Sequence, residues 1–193
     1  MSKLILTRHG QSVWNATNRF TGWVDVDLSE QGVLEAKKSG VLIKNLNLNI
    51  DIAYTSFLKR AIKTLTVILE ENNLKLALNT SWEINERHYG SLTGLNKEET
   101  KKKIGEEQFK KYRRSWDISP PKMPTDDVNL SLFSTLNTNI PQGFIPSTES
   151  LKDTYNRVIP FFEKRVEPDL RKNKNIIIAA HGNSLRALCK KLF

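Results

Sequence analysis

The most informative stretch of this chain lies near its C-terminus and reads Ile176-Ile177-Ile178-Ala179-Ala180-His181-Gly182. Five consecutive apolar residues are typical of a central parallel strand that helices cover on both faces. A second short apolar run, Leu4-Ile5-Leu6, leads into Thr7-Arg8-His9-Gly10 in the same way. In α/β sheets, ligands bind outside the carboxyl ends of the strands. Two strands that end in His-Gly therefore predict that His9 and His181 face one cleft.

The rest of the chain alternates short apolar strands with amphipathic helices. This alternation predicts the α/β class, as a three-layer α/β/α sandwich around a mostly parallel sheet. We expect further strands at 51–55 and 74–78, and helices at about 29–44, 58–71, 97–103, 106–112, 149–166 and from 184 onward. Ser29 is the expected N-cap of the first helix and Ser147 or Thr148 that of the fifth, in which Pro160 predicts a kink.

The length of 193 residues suits one domain, and neither a repeat nor a linker divides the chain. We therefore expect a single domain over residues 1–193. The stretch 115–148 differs from the rest because it holds five of the seven prolines and has no clear period. Stretches of this length without a pattern are often lids, binding loops or disordered segments. A long loop is expected there.

Composition argues against several classes of protein. Hydrophobic residues make up 38% and charged residues 26%, which is ordinary for a soluble globular protein. The apolar runs are far shorter than the roughly 20 residues of a membrane span. The single cysteine argues against a disulfide framework and suits a reducing compartment. Since the N-terminus resembles neither a signal nor a transit peptide, we expect a cytoplasmic protein.

The charge balance favours anionic partners. Lys and Arg number 30 against 21 Asp and Glu, which gives a net charge of +9. Nucleic acid, an acidic membrane and small phosphorylated metabolites would all suit such an excess. The densest basic stretch, 97–114, mixes eight basic with four acidic residues, which is typical of a solvated helical face. We therefore expect small phosphorylated metabolites as partners, and neither nucleic acid nor a membrane.

The pattern of reactive residues narrows the chemistry. Three separated histidines without a cysteine cluster argue against a metal site. The chain has neither a Gly-x-Ser-x-Gly elbow nor a P-loop. What remains is a histidine that acts as a nucleophile toward phosphorus, with arginines holding the anion.

Further blocks accompany Arg8-His9-Gly10 along the chain. They are, in order, Asn18-Arg19-Phe20-Thr21-Gly22-Trp23, Asp25-Val26-Asp27-Leu28-Ser29, Leu58-Lys59-Arg60-Ala61, Asn85-Glu86-Arg87-His88-Tyr89-Gly90, Arg113-Arg114-Ser115 and Ala180-His181-Gly182-Asn183-Ser184-Leu185-Arg186. In this order they resemble the cofactor-dependent phosphoglycerate mutase family of the histidine phosphatase superfamily. The resemblance spans essentially the whole chain.

The resemblance implies a glycolytic enzyme that interconverts 2-phosphoglycerate and 3-phosphoglycerate through a phosphohistidine. It implies 2,3-bisphosphoglycerate as the phosphoryl primer and no metal. His9 would be the nucleophile and Glu86 the general acid/base, while Arg8, Arg60 and His181 would surround the transferring phosphoryl group. A wider set would line the site and bind phosphates and carboxylate: Asn15, Thr21, Gly22, Tyr89, Lys97, Arg113, Arg114 and Asn183.

The sequence departs from the family pattern in three places. Gln11 stands where a glutamate is usual, and the stretch 126–145 matches poorly. Family members continue past the last helix into a strand and a C-terminal tail, which we expect this sequence to lack. Two alternatives stay open on these grounds: a bisphosphoglycerate synthase or phosphatase, and a truncated inactive copy that only binds phosphorylated ligands. The oligomeric state, including a homo-oligomer, is open as well.

Overall fold

A computed structural model describes residues 1–124, 127, 140–141 and 143–193. Within these residues the centre is a sheet of four parallel strands, in the order β1-β4-β2-β3. The strands are β1 (Leu4–Arg8), β2 (Ile52–Thr55), β3 (Leu78–Thr80) and β4 (Ile176–Ala180). β4 pairs with β1 on one side and β2 on the other, and every one of its residues is buried because apolar clusters cover both faces of the strand. The apolar run that predicted a central parallel strand is thereby explained.

Helices lie on both faces of the sheet, so the predicted three-layer sandwich is confirmed. They are α1 (Val13–Ala16), α2 (Glu30–Lys44), α3 (Lys59–Glu71), α4 (Lys97–Ile104), α5 (Glu106–Arg114), α6 (Leu151–Phe161), α7 (Glu167–Arg171) and α8 (Gly182–Leu192). Short 3-10 turns lie at Trp82–Ile84 and Gly90–Leu92, and a π-turn at Phe162–Val166 joins α6 to α7. None of the helices in the described ranges has both the length and the apolar character needed to cross a bilayer.

The alternation of side chains along the strands divides the core in two. Ile177 and Ala179 of β4 belong to the apolar cluster under α2 and α3. Ile176, Ile178 and Ala180 point to the opposite face, where they join the cluster formed with α6 and α8. Because side chains of a strand alternate between faces, one apolar strand stabilises both layers of helices.

Two predictions of local structure are wrong. The third strand lies at Leu78–Thr80 rather than at 74–78, because pairing with β2 begins only where Leu78 faces Ala53. The preceding leucines pack against the cluster under α3, which accounts for their alternating pattern. The N-cap of α6 is Ser150 rather than Ser147 or Thr148. Ser150 and Asp153 exchange hydrogen bonds in a capping box.

Other local predictions agree with the structure. Ser29 caps α2 by accepting a hydrogen bond from the amide of Gly32 at 3.1 Å. Pro160 lies inside α6 as expected, and the helix changes to the π-turn two residues later, while the kink itself stays a prediction. The described residues of the predicted loop at 115–148 form neither helix nor strand. Much of the poorly matching stretch 126–145 lies outside the described residues.

The loop after β1 packs directly on the first turn of α2. A Cβ atom added to Gly10 would lie 2.2 Å from the carbonyl oxygen of Gly32. A Cβ atom added to Gly32 would lie 2.0 Å from the carbonyl oxygen of Gln11. The amide of Gln11 also donates to the Glu35 carboxylate at 2.8 Å. The backbones therefore meet without room for a side chain.

We predict that Gly10→Ala lowers the free energy of unfolding by at least about 2 kcal/mol, because the new methyl group must displace backbone atoms. The measurement is urea unfolding followed by circular dichroism. Gly182→Ala is the matched control, since the nearest atoms to its Cβ lie 3.8 and 3.9 Å away. The free energy of unfolding of Gly182→Ala should change by less than about 1 kcal/mol. Equal stabilities for the two variants would contradict the close contact of Gly10 with Gly32.

Candidate active site

The register of β1 and β4 brings the two strand-end histidines together. Arg8 lies opposite Ala180 in the parallel pair, so the next residues, His9 and His181, leave the sheet side by side. Their ring centroids are 4.9 Å apart and the rings are tilted by 59°. The two imidazoles therefore occupy the same edge of the sheet, at the carboxyl ends of the strands.

A hydrogen bond fixes the tautomer of His9. Its Nδ1 lies 2.6 Å from the carbonyl oxygen of Gly10. A carbonyl can only accept, so Nδ1 carries the proton and Nε2 keeps its lone pair. Burial, with the charges of Arg60 and Arg8, lowers the pKa of His9 to about 3 despite the opposing bond to Gly10. At neutral pH the ring is neutral and Nε2 can act as a nucleophile.

His181 lies behind His9 and is fully buried. Its Nε2 is 2.7 Å from Oγ of Ser56, which also accepts a hydrogen bond from the amide of Leu58. Burial first, and then the charge of Arg60, lower the pKa of His181 well below its ordinary value. Its buried Nδ1 has no hydrogen-bond partner among the described residues.

Arg60 supplies a buried positive charge at the start of α3. Its Nη1 donates to the carbonyl oxygen of Val24 at 2.8 Å and its Nη2 to that of Gly22 at 2.7 Å. Burial lowers its pKa to about 10, and the charge of Glu86 opposes that effect. The guanidinium is therefore still charged at neutral pH. Its buried Nε has no partner in the described part of the chain.

Glu86 is held by one carboxylate oxygen and exposes the other. Oε1 accepts hydrogen bonds from the amide of Arg87 at 2.8 Å and from Nδ2 of Asn183 at 2.9 Å. The same Nδ2 reaches the hydroxyl of Tyr89 at 3.0 Å. Oε2 makes no hydrogen bond with the described residues and lies beside Gly182. An oriented carboxylate with a free oxygen suits a general base or acid.

These side chains surround a cavity of about 340 Å³, which is within the usual size of a small-molecule site. Every predicted site residue except the more deeply buried His181 lines it. The lining includes seven cationic side chains, Arg8, Arg19, Arg60, Lys97, Arg113, Arg114 and Arg186, and a single carboxylate, that of Glu86. Such a cavity suits a small ligand with several negative charges.

Arg19 and Arg186 are lining residues that the sequence interpretation missed. Both arginines lie in blocks that carry the family resemblance, Arg19 in Asn18–Trp23 and Arg186 in Ala180–Arg186. Arg186 follows Asn183 by three residues on α8, a spacing that puts both on one helix face. Helical spacing from Asn183 was therefore a usable signal for Arg186.

The cations that line the cavity influence one another. Burial is the largest cause that lowers the pKa of Lys97, and the charge of Arg113 adds to it. Burial likewise lowers the pKa of Arg113, with Arg114 contributing in the same direction. An anionic ligand would relieve this repulsion. The described residues contain no group of three or more His, Cys, Asp or Glu that could hold a metal ion.

All three histidines are neutral at pH 7, which predicts an acid-sensitive fold. His88 packs its ring edge-on against Trp23, and burial lowers its pKa to about 4. When a histidine pKa is lower in the folded state, only the unfolded chain takes up protons between that pKa and about 6.5. The free energy of unfolding therefore falls as the pH drops from about 6.5 toward 4.

We predict that His88→Asn reduces this pH dependence by about 1.4 kcal/mol per pH unit around pH 5, the contribution of one neutral buried histidine. Asparagine keeps a side-chain acceptor for the amide of Gly90, which now bonds to Nδ1 of His88 at 3.0 Å. Urea unfolding at several values between pH 5 and 7 measures the slope. An unchanged slope would show that His88 is protonated in the folded protein.

Comparisons with known proteins identify the family. Residues 4–128 match the family model of the histidine phosphatase superfamily (branch 1). The 2,3-bisphosphoglycerate-dependent phosphoglycerate mutase 1 of Lactobacillus johnsonii is 53% identical over 191 residues, which are 98% of this chain and 83% of that protein. The 2,3-bisphosphoglycerate-dependent phosphoglycerate mutase of Pelagibacter ubique is 52% identical over 193 residues, which are 100% of this chain and 81% of that protein.

A solved structure supports the fold alone. A mycobacterial glucosyl-3-phosphoglycerate phosphatase superposes with a TM-score of 0.75 at 20% identity, covering 100% of this chain and 80% of that chain. The sequence identities of the two mutases over nearly the whole chain carry the finer assignment. This chain belongs to the 2,3-bisphosphoglycerate-dependent phosphoglycerate mutase family of the histidine phosphatase superfamily.

Proposed function

We propose that this chain interconverts 3-phosphoglycerate and 2-phosphoglycerate through a phosphohistidine on His9. The observation that carries the proposal is the placement of a neutral, tautomer-fixed imidazole in one cavity with seven cations and one carboxylate. Phosphoryl transfer asks a protein mainly for positioning and for stabilisation of charge on the oxygens. The cavity offers both.

The arrangement fits 2,3-bisphosphoglycerate as the primer. The molecule carries two phosphates and a carboxylate, which match an excess of six positive charges among the seven cations and one carboxylate. Two buried donors that have no partner among the described residues, Nε of Arg60 and Oγ1 of Thr21, are suitable for its oxygens. When bound, the bisphosphate supplies the phosphoryl group that primes His9.

Each side chain has a distinct task in the proposed reaction. Nε2 of His9 carries the phosphoryl group while Arg8 and Arg60 stabilise its oxygens. Oε2 of Glu86 removes the proton from the substrate hydroxyl as the hydroxyl oxygen attacks phosphorus. The bond between Nε2 and phosphorus breaks as the new bond from oxygen to phosphorus forms. Glu86 returns the proton when the other phosphate of the substrate is transferred to His9.

The remaining cationic residues bind the parts of the substrate that do not react. Lys97 lies on α4, Arg113 and Arg114 lie on α5, and all three line the cavity together with Arg19 and Arg186. We assign them to the substrate carboxylate and the second phosphate. Charge stabilisation by these side chains requires no metal in the scheme. We further assign the reaction to glycolysis in the cytoplasm, on small phosphorylated metabolites.

We predict that His9→Ala lowers kcat at least about 1,000-fold in an enolase-coupled assay with added 2,3-bisphosphoglycerate, because the nucleophile is lost. The variant should also fail to take up label from ³²P-labelled bisphosphate. Cys189→Ala on α8 is the control and should retain both properties. Labelling of His9→Ala at another residue would contradict the assignment. Primer-independent release of inorganic phosphate by the unmodified protein would favour a phosphatase, a chemistry that the same fold also supports.

We predict that Glu86→Gln lowers kcat by about 10²–10⁴ with little change in KM, because an amide keeps the shape but cannot accept the proton. The amide oxygen can still accept from Asn183, so the side chain should stay in place. The same coupled assay measures both constants. A kcat equal to that of the unmodified protein would remove Glu86 from the mechanism.

A further inference from the structure

An ion pair lies behind the active site, between Arg157 on α6 and Glu149. Nε of Arg157 is 2.7 Å from Oε1 of Glu149, and Nη2 is 2.9 Å from Oε2. Their side chains are only 9% and 4% exposed. Burying two charges is expensive, and a buried ion pair is weak evidence for stability as such. Stability alone therefore does not explain the ion pair, and its other hydrogen bonds indicate which part of the protein it holds in place.

The guanidinium of Arg157 uses its remaining donors on one short segment, residues 83–88, which we call the Glu86 loop. Nη1 donates to the carbonyl oxygens of Glu83 at 2.5 Å and of Asn85 at 3.0 Å. Nη2 donates to the carbonyl oxygen of Glu86 at 2.9 Å. The rigid planar fork of arginine suits this multiple recognition, which a lysine ammonium cannot reproduce.

Glu149 holds the other end of the same loop. Its Oε2 accepts a hydrogen bond from the amide of His88 at 2.7 Å, and its own amide donates to the carbonyl of His88 at 3.0 Å. The indole of Trp23 donates to the carbonyl oxygen of Glu86, and the guanidinium of Arg157 lies 5.6 Å from the centroid of that indole ring. The main chain of the loop is thus held on both sides of Glu86.

Neither Arg157 nor Glu149 is among the residues that line the active-site cavity. The loop that they hold is therefore their structural connection to the cavity, and Arg157→Lys leaves in place the positive charge that also helps to lower the pKa of His181. That loop carries the carboxylate whose Oε1 is fixed by Asn183 and whose Oε2 is free. Arg157 and Glu149 hold the main chain around Glu86, and Asn183 holds Oε1 at the tip of its side chain. Together these contacts determine the direction in which Oε2 points.

We propose that Arg157 and Glu149 are positioning residues that hold the Glu86 loop so that Oε2 of Glu86 meets the substrate hydroxyl. The inference rests on the proposed function, in which Glu86 moves the proton. Proton transfer requires heavy atoms within about 2.6–3.2 Å. A displacement of about 1 Å can reduce the rate by about 10². Loosening the loop should therefore reduce kcat while the cationic lining continues to bind substrate.

The first test is Arg157→Lys, which keeps the charge and loses the fork. The expected result is a kcat lower by about 10- to 100-fold with KM within about threefold of the unmodified protein. The matched control is Arg171→Lys, because Arg171 forms an exposed ion pair with Glu167, with side chains 77% and 36% exposed. Its kcat should be unchanged. A rise in KM at constant kcat for Arg157→Lys would overturn the inference.

The second test combines Arg157→Lys with Glu86→Gln. If Arg157 acts through the carboxylate of Glu86, the double variant should have the kcat of Glu86→Gln alone. Two residues that act independently instead give losses that multiply. If Arg157→Lys lowers kcat by the same factor in the unmodified protein and in Glu86→Gln, Arg157 has a purely structural role. That result would overturn the inference.

Glu149→Gln keeps the inference testable if Arg157→Lys does not fold. It preserves the shape of the side chain and one acceptor oxygen while removing the charge that orients Arg157. We expect a loss of kcat of about 3- to 30-fold, again absent in the Glu86→Gln background. Circular dichroism spectra establish that each variant is folded before it is assayed.

The single variants separate this inference from the proposed function. A low kcat for Glu86→Gln with unchanged kcat for folded Arg157→Lys and Glu149→Gln would overturn the inference alone. A kcat of Glu86→Gln equal to that of the unmodified protein would overturn the role of Glu86, and the inference with it.

Discussion

The pairing of β1 with β4 is the constraint on which the site depends. With Arg8 opposite Ala180, the two residues that follow are both histidines, and their rings meet at 4.9 Å. A slip of one residue would turn every side chain of β1 to the other face of the sheet. β2 pairs with the other side of β4 and ends just before Ser56, whose hydroxyl contacts His181. Three neighbouring strand ends therefore assemble the centre of the site.

The electrostatics of the site follow from the burial of an arginine that forms no ion pair with the described residues. Arg60 is fully buried, and its terminal nitrogens donate to the carbonyl oxygens of Gly22 and Val24, while the charge of Glu86 partly offsets the effect of burial. The same positive charge, together with burial, keeps His9 and His181 neutral. The cations therefore have two effects on the proposed chemistry. They attract an anionic ligand, and they leave the imidazole of His9 with the lone pair that a nucleophile needs.

Local patterns predicted much of this structure, and their failures have physical causes. His9 and His181 could be located because each directly follows a strand that contains a short apolar run. The pattern at 74–78 suggested a strand because alternating leucines also suit an extended segment packed on a helix layer, whereas strand pairing depends on a distant partner. The prediction of Ser147 or Thr148 as the N-cap of α6 failed because Ser150 is an equally good capping residue, and residue type alone does not show where the helix begins. Arg157 lies 71 residues from Glu86, and no local pattern links them.

The hydrogen bond from Nδ1 of His9 to the carbonyl of Gly10 gives the proposed cycle a simple symmetry. Nδ1 keeps its proton whether Nε2 is free or phosphorylated, so the imidazole exchanges only the phosphoryl group. Forward and reverse turnover then pass through the same atoms in opposite order. A protein of this kind accelerates both directions equally and leaves the ratio of the two isomers to their own thermodynamics. The direction of net flux is set by the concentrations of the metabolites around it, which suits a step shared by a degradative and a synthetic route.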